Sequence, residues 1–332
     1  YADLPDDWAD AYVGWWGSRH HFDVDPAWLV YSSGVIPTIS SVVRKLTTPA
    51  EKVVVLTPSY NIFFNSIVNN GRYVLECPLR YREPVYDIDF EALEAALADP
   101  QTSLMILCNP HNPVGKIWDR ETLLRITELC VKHSVLVLSD EIHCDLTDSG
   151  KEYIPYASVS PEAAQISITC VAPTKAFNLA GIQSSAVIVP NKALRHRVWR
   201  ALNTDEVGEA SILGALAPSA AFKQGGAWLD AMRAYVFENK QYVRQYIAEN
   251  IREIKVVPSE ATYLLWMDCR GVCEDSTELA SFLRKNTGLI LVNGAGYGAG
   301  GNGFLRIALA CPRSTVEDGM ARLARGDRGG LE

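Results

Sequence analysis

The segment VLVLSDEIH (residues 135–143) decides the fold class of this chain. A run of aliphatic residues is followed by Ser139 and by two acids, Asp140 and Glu141. Such a short apolar run is typical of a strand that is covered on both faces in a parallel sheet. An acid at the end of a buried strand is costly unless it is paired. Asp140 therefore either caps the next turn or holds a protonated partner through a charge-assisted hydrogen bond, and the segment leaves both alternatives open.

Comparable apolar runs recur along the first part of the chain, and helical patterns separate them. We predict strands at residues 28–31, 53–57, 72–77, 103–108, 135–139, 166–171 and 184–189. We predict helices at residues 5–18, directly after Gly34, and at 60–70, 90–98 and 120–133. Strands that alternate with helices at this spacing form βαβ units. The sequence therefore predicts an α/β fold with a mostly parallel sheet between helices.

The pattern changes after Pro190, where three helical stretches precede a mixture of short strands and helices. Strands are predicted at residues 262–268, 289–292 and 303–310, with a glycine-rich loop at 294–303 that we expect to be mobile and near a site entrance. This mixture indicates a smaller α+β domain. A chain of 332 residues is long enough for two domains. We predict a large domain at residues 1–225 and a small C-terminal domain at 226–332.

Composition excludes several classes of function. The net charge of −8 argues against a nucleic-acid partner or an anionic membrane, and no apolar run approaches the roughly 18 residues that span a bilayer. Eight cysteines occur singly, without a C-x-x-C pair, which predicts free thiols in a reducing compartment and hence a cytoplasmic protein. The six histidines show no metal-ligand spacing, so we predict no metal, and His20 and His21 look like a surface pair.

Candidate functional residues follow the predicted strands, since ligands of open α/β sheets bind outside the carboxyl ends of the strands. Gly34, Val35 and Ile36 form a turn into a helix, whose free N–H groups suit a phosphate, although any βα turn has this appearance. Tyr60 is either a core aromatic or a ring that stacks on a planar ligand. Asn112 lies in the rigid turn NPHNPVG (residues 109–115), where it is a neutral hydrogen-bond donor.

Two cationic residues complete this set. Arg306 lies within an apolar strand and needs an anionic partner, for which its planar guanidinium matches a carboxylate. Lys175 lies in the turn VAPTKAFNLAG (residues 171–181). A lysine is usually a surface residue, but one held in a pocket is suited to Schiff-base chemistry. The local sequence does not distinguish these two interpretations.

Seven stretches together resemble a known family: SSGVIPTIS, TPSYNIFF, CNPHNPVGKIW, LCVKHSVLVLSDEIHCDL, APTKAFNLAG, ATYLLWMD and GFLRIALACPRS. They resemble the fold-type I pyridoxal-phosphate enzymes of the class I/II aminotransferase superfamily. Within it, the chain is similar to the cystalysin and MalY/PatB-type cystathionine β-lyases, which are carbon–sulfur lyases. The resemblance implies an aspartate-aminotransferase-like fold, with a seven-stranded sheet in a large domain that binds pyridoxal 5'-phosphate.

The resemblance also implies a role for each candidate residue. Lys175 forms the Schiff base and is the catalytic base, and Arg306 takes the substrate carboxylate. Asp140 binds the pyridinium nitrogen of the cofactor, and Tyr60 stacks on its ring. Asn112 bonds the ring hydroxyl, and Tyr60 and Asn112 also face the substrate. The remaining cofactor contacts that the family implies are Gly34, Val35, Ile36, His143, Thr174 and, from the neighbouring subunit, Tyr1.

The role of Tyr1 implies a homodimer whose active sites lie at the subunit interface. It also implies that roughly sixty residues of a family member precede this chain, a segment that helps to close the site. Three positions depart from the wider family. Ala172 replaces a frequent serine, Gln183 replaces the phosphate-binding arginine of aspartate aminotransferases, and His143 replaces a tyrosine. The last two departures favour the lyase branch.

The activity that the resemblance implies is β-elimination from cystathionine, cystine or another cysteine S-conjugate, which gives pyruvate, ammonia and a thiol. An aminotransferase is the alternative, because transamination begins with removal of the same Cα proton, and residue chemistry alone does not separate the two. A third alternative, from another class, is a regulatory protein that binds a partner and keeps only vestigial lyase activity.

Overall fold

A seven-stranded sheet runs through the computed structural model, which describes residues 3–328, without the side chains of 327 and 328. The strands are β1 (Leu29–Ser32), β2 (Lys52–Thr57), β3 (Tyr73–Pro78), β4 (Arg80–Arg82), β5 (Val85–Asp87), β6 (Thr102–Cys108), β7 (Leu136–Asp140), β8 (Ser167–Val171), β9 (Ser185–Ile188), β10 (Lys255–Val256), β11 (Leu264–Asp268), β12 (Val292–Asn293) and β13 (Phe304–Ala308). The helices are α1 (Asp6–His20), α2 (Val35–Leu46), α3 (Ile62–Val68), α4 (Phe90–Leu97), α5 (Arg120–Lys132), α6 (Pro161–Ile166), α7 (Lys192–Thr204), α8 (Ile212–Gln224), α9 (Gly226–Asn250), α10 (Ser276–Thr287) and α11 (Arg313–Arg328).

The strand order of the large sheet is β1-β9-β8-β7-β6-β2-β3. The pairs from β8 through β7, β6 and β2 to β3 are parallel, whereas β9 is antiparallel to both β8 and β1. The predicted α/β fold with a mostly parallel seven-stranded sheet is therefore confirmed. The reversal of β9 was not predicted. Residues 172–184, between β8 and β9, contain no α-helix, and a parallel connection normally needs a crossover helix.

Helices cover both faces of this sheet, which explains why its strands read as apolar runs. Successive residues of a strand point to opposite faces. In β2, Val54 and Leu56 pack in the core that includes Leu93 of α4 and Leu123 of α5, while Val53 and Val55 pack on the other side with residues of α2, α3 and α7. The sheet is thus a rigid layer whose strand ends are fixed relative to one another.

A second sheet, with the order β10-β11-β13-β12, is antiparallel throughout. It has its own core, to which α9, α10 and α11 contribute Val243, Leu279 and Met320. This arrangement supports the smaller α+β domain expected from sequence. The division of the chain at residues 225 and 226 stays a prediction, although α9 begins at Gly226.

A buried ion pair links the long helix α9 to the segments near both sheets. Lys240 is fully buried, and its Nζ lies 2.5 Å from Oδ1 of Asp148 in the chain that follows β7. Nζ also donates to Ser259 Oγ at 3.0 Å and to the carbonyl of Ala261 at 3.1 Å, shortly before β11. Burial lowers the pKa of Lys240 to about 8 against the opposing effect of Asp148. These contacts help to place the second sheet, which carries Arg306 on β13.

Several local predictions were wrong. Tyr60 does not open a helix: Ser59 N donates to the carbonyl of Tyr297 at 2.9 Å, and α3 begins only at Ile62. The strand predicted at residues 289–292 is the two-residue β12, and the β4–β5 hairpin and α6 were not predicted. Among the helices of residues 3–328, none is both long and apolar enough to span a membrane.

Candidate active site

A cavity of about 550 Å³ opens at the carboxyl ends of the parallel strands. Every predicted site residue that the structure describes lines it. These residues are Gly34, Val35, Ile36, Tyr60, Asn112, Asp140, His143, Thr174, Lys175 and Arg306. Tyr1, the remaining candidate, lies outside the described residues. Residues that are far apart in sequence are therefore brought to one place.

The sheet topology explains this convergence. Asn112, Asp140 and Lys175 lie at or just beyond the ends of β6, β7 and β8, which are neighbours in the sheet and run in the same direction. Arg306 comes from the second sheet, on β13. The cavity is thus bounded by both sheets.

Among the described residues that line this cavity, Asp140 is the only carboxylate, and it is 4% exposed. Ile142 N donates to its Oδ1 at 3.1 Å, and within residues 3–328 no hydrogen bond reaches Oδ2. Burial raises the pKa of Asp140 to about 6, although the Ile142 N–H and the charge of Lys175 act in the opposite direction. A buried carboxylate with a free oxygen that faces a cavity is suited to a cationic or N–H ligand.

His143 lies near Asp140 and is neutral at physiological pH. Burial, with smaller contributions from Lys175 and Arg306, lowers its pKa to about 3. Its ring packs edge-on against Tyr263, with the centroids 5.9 Å apart. Its Nδ1 is buried and has no hydrogen-bond partner among the described residues. Since buried polar atoms are normally paired, Nδ1 is available to a ligand.

Arg306 donates from Nη1 to Oδ1 of Asn112 at 3.0 Å. The Asn112 side chain thus accepts a hydrogen bond here, whereas the sequence predicted a donor; its amide NH₂ remains the donor group. The guanidinium also lies 5.2 Å from the ring centroid of Tyr297, and its Nε is buried without a hydrogen-bond partner in the described part of the chain. No carboxylate of the described chain pairs with Arg306, which leaves it able to bind an anion.

The turn before α2 forms another wall of the cavity. Gly34 precedes the helix, no side chain caps the helix, and Val35 and Ile36 lie in its first turn. The helix therefore presents free N–H groups and the positive end of its dipole to the cavity. Thr174 and Lys175 line the same cavity.

Ten further lining residues were not among the predicted site residues, and four of them carry hydroxyl or amide side chains: Ser33, Gln183, Ser184 and Tyr263. Gln183 and Ser184 reach the cavity because β9 is antiparallel, so that its first residues lie at the same edge as the ends of its neighbours. The missing α-helix in residues 172–184 was the signal for this reversal. Tyr263 directly precedes β11, which pairs with the strand that carries Arg306.

A second polar cluster lies outside the cavity, and it corrects the prediction for His20. The His20 side chain is only 8% exposed and is no surface residue. Its Nε2 and Trp15 Nε1 each lie 2.8 Å from Oδ1 of Asp145. A ligand atom of Cys144 lies within 4.8 Å of those of His20 and Asp145. Because Oδ1 already pairs with both rings, we interpret the cluster as an anchor for α1, and the absence of a metal stays a prediction.

Comparison with known proteins identifies the family of the chain. The family described as Aminotransferase class I and II matches residues 3–323. The chain belongs to this family.

Its relatives include proteins that are named cystathionine beta-lyases. Cystathionine beta-lyase PatB of Bacillus subtilis is 40% identical over 95% of this chain and 81% of the relative. Protein MalY of Escherichia coli is 32% identical over 97% of this chain and 82% of its own. Cystalysin of Treponema denticola, whose structure contains pyridoxal 5'-phosphate, superposes with a TM-score of 0.97 and 32% identity over 99% of this chain and 84% of its own. The fold and the resemblance predicted from sequence are thus confirmed.

Asp140→Asn tests the burial of this carboxylate. In the folded, cofactor-free protein the pKa of Asp140 is about 6, well above its unfolded value, so ionising it opposes folding. Above pH 6, we expect the free energy of unfolding of the variant to exceed that of wild type by about 2 to 3 kcal/mol. The difference should shrink as the pH falls from 6 to 4, because the folded wild type then becomes neutral. Denaturant titrations across this range measure it.

Asp23→Asn, at an exposed position, is the matched control and should show no such pH-dependent gain. Equal stability of wild type and Asp140→Asn at pH 8 would contradict a buried, unpaired carboxylate at position 140.

Proposed function

We propose that this chain is a pyridoxal 5'-phosphate-dependent carbon–sulfur lyase. Its substrates are cysteine S-conjugates such as cystathionine, and its products are pyruvate, ammonia and a thiol. The observation that carries the proposal is that Lys175 and Asp140 line one cavity together with Arg306, with no other carboxylate among its described lining residues. The names of PatB and cystalysin, at 40% and 32% identity over nearly the whole chain, support this chemistry.

The residues present fit the cofactor. Its phosphate matches the free N–H groups at Gly34, Val35 and Ile36, together with the hydroxyl of Thr174. Its pyridine ring matches Asp140, whose Oδ2 lacks a described donor. The unpaired Nδ1 of His143 is a further polar contact. We assign Tyr60 to the face of the ring; it is half-buried and packs edge-on against Phe63.

When bound, pyridoxal phosphate withdraws electrons from the substrate Cα, and the protein supplies orientation and electrostatics. Lys175 attaches the cofactor at rest and, once its amine is free, removes the Cα proton as a general base. The carboxylate of Asp140 holds a proton on the ring nitrogen, since a buried negative charge stabilises a cation beside it. Loss of the Cα proton would let the Cβ–S bond break, with the bonding electrons leaving on the thiolate, and one water would release the remaining three-carbon fragment as pyruvate and ammonia.

Arg306 and Asn112 position the substrate. The guanidinium has no carboxylate partner in the described chain, so its planar donors are free for the substrate carboxylate. Asn112 Oδ1 fixes the orientation of the guanidinium through the 3.0 Å hydrogen bond. We assign the amide NH₂ of Asn112 to the hydroxyl of the cofactor ring. One side chain thus serves both the cofactor and the residue that binds substrate.

The test of the lyase reaction is a measurement of pyruvate from cystathionine, with and without an added keto acid. An eliminating enzyme needs no amino-group acceptor, so we expect pyruvate and a thiol at the same rate in both conditions. Arg306→Leu should lower kcat/KM by about 100-fold or more, because the substrate carboxylate loses its anchor. Arg252→Leu changes an arginine outside the lining of this cavity and should leave the rate unchanged. Consumption of cystathionine that strictly requires the keto acid would show an aminotransferase instead. Absence of both reactions would favour the regulatory alternative.

We also propose that the enzyme is a homodimer with its sites at the interface. Ile212 and Leu213 are each 62% exposed and Leu216 is 49% exposed, all on α8. This apolar face adjoins the cavity, because the carbonyl of Gly214 accepts a hydrogen bond of 2.6 Å from Ser184, a lining residue. A second copy of the chain would cover this face. The contact of Tyr1 with the neighbouring subunit stays a prediction.

Leu213→Lys tests the dimer. A charge in the centre of an apolar interface is costly to bury, so we expect sedimentation to show dissociation towards monomer and lower activity at low protein concentration. Ile290→Lys is the control, because Ile290 is 71% exposed but lies outside α8. A monomeric wild type, or a Leu213→Lys variant that dimerises as wild type does, would contradict the proposal.

We place the enzyme in the cytoplasm. All eight cysteines are free, and six of them are buried, as expected in a reducing compartment. Cell fractionation tests this location, and recovery outside the cytoplasm would contradict it.

A further inference from the structure

Glu141, which directly follows Asp140, is a buried acid that the proposed reaction does not use. Its side chain is fully buried and does not line the cavity. Oε1 accepts from Ser139 Oγ at 2.8 Å and from Tyr156 N at 2.9 Å. Oε2 contacts the hydroxyl of Tyr153. The carboxyl group is therefore the centre of a closed polar cluster.

This cluster joins the strand ends that carry the site. Ser139 and Glu141 flank Asp140 in the chain. The Ser139 hydroxyl donates to the carboxyl group of Glu141, so this hydrogen bond joins the residues on both sides of Asp140. Oε1 also lies 3.4 Å from Nδ2 of Asn109, directly after β6. The main chain adds two bonds, from Asn109 N to the carbonyl of Asp140 and from Glu141 N to the carbonyl of Cys170, each at 2.9 Å. The end of β7 is thus fixed to β6, to β8 and to the segment that contains Tyr153 and Tyr156.

No cation balances this carboxyl group. Within residues 3–328, no lysine, arginine or histidine pairs with Glu141. The titratable groups that face it are Asp140, Cys144, Tyr153, Tyr156 and Cys170, which are neutral or negative. Burial raises the pKa of Glu141 to about 8 although the hydrogen bonds from Tyr156, Ser139 and Asn109 act in the opposite direction, and the charge of Asp140 adds to the effect of burial. An isolated buried charge is more costly than a neutral acid with hydrogen bonds.

The oxygen of the Tyr153 hydroxyl can accept a hydrogen bond from a protonated Glu141. Oε1 already receives three donors, whereas Oε2 meets only this hydroxyl, whose oxygen accepts as well as donates. A proton on Oε2 can therefore be donated to the Tyr153 oxygen. The Tyr153 O–H then has no acceptor among residues 3–328, but one unpaired hydroxyl is less costly than an isolated buried charge.

We propose that Glu141 is a positioning residue: a neutral carboxylic acid that donates to Tyr153 and fixes the main chain on both sides of Asp140. Asp140 then keeps its orientation towards the cavity and carries its negative charge without a second one beside it. The link from Glu141 to the reaction rests on the proposed function. The protonation state of Glu141 does not depend on that function, so an experiment can contradict either one without contradicting the other.

Infrared difference spectra of the holoenzyme at pH 7 test the neutral acid. Wild type minus Glu141→Gln should show the carbonyl stretch of one protonated carboxylic acid, because the amide is isosteric and lacks this band. Glu128→Gln, an exposed change on α5, should leave the band in place. Tyr153→Phe should shift the band to higher frequency, because the acid loses its acceptor. Absence of the band in wild type, its persistence in Glu141→Gln, or an unshifted band in Tyr153→Phe would each overturn the proposal.

Kinetics test the positioning role. Glu141→Leu should lower kcat for pyruvate formation by up to about 100-fold, with little change in KM, because a small displacement of a catalytic group is costly. Glu141→Gln should recover most of this loss, since the amide keeps the acceptor and donates to Tyr153. A Gln variant as slow as the Leu variant, or a Leu variant as fast as wild type, would overturn the role. If wild type lacks lyase activity but shows the infrared band, the proposed function fails and the neutral acid stands.

Discussion

The burial of one carboxylate, Asp140, is the constraint on which the rest of the site depends. Its pKa is raised to about 6 by burial, and one of its oxygens has no described donor. An ionised acid in this position lowers the stability of the fold unless a cationic group pairs with it. The parallel order of β6, β7 and β8 brings Lys175 to the same cavity. The unpaired Asp140 thus lowers the stability of the fold, and a bound cationic ligand restores it.

The two sheets have different tasks around that carboxylate. The large sheet fixes the groups that face the cofactor, because the ends of its parallel strands cannot move separately. The small sheet brings Arg306, and its hydrogen bond to Asn112 is the direct contact between the substrate anchor and the large sheet. Lys240 ties α9 to Asp148 and to the residues before β11. This buried ion pair therefore helps to place the sheet that carries Arg306.

Much of this site could be predicted from the sequence, because apolar strands and polar residues at their ends alternate regularly. Asn112, Asp140 and Lys175 follow such strands, and the motifs around them are specific in combination. Ser184 and Tyr263 were not predicted as site residues, and Gln183 was noted only as a departure at a phosphate-binding position. Their place depends on the reversal of β9 and on the pairing of β11 with β13. Those are long-range contacts without a local pattern. The sequence also misjudged His20, because its contacts with Asp145 and Tyr153 are long-range and leave no local pattern.

The most direct measurement is to locate the cofactor on the chain. Borohydride reduction of the enzyme, followed by peptide mass spectrometry, should show the cofactor mass on Lys175 in wild type. Lys175→Ala should carry no attached cofactor and form no pyruvate from cystathionine. Lys285→Ala, an exposed change on α10, should behave as wild type in both respects. Attachment at another lysine, or pyruvate formation by Lys175→Ala at the wild-type rate, would contradict the account.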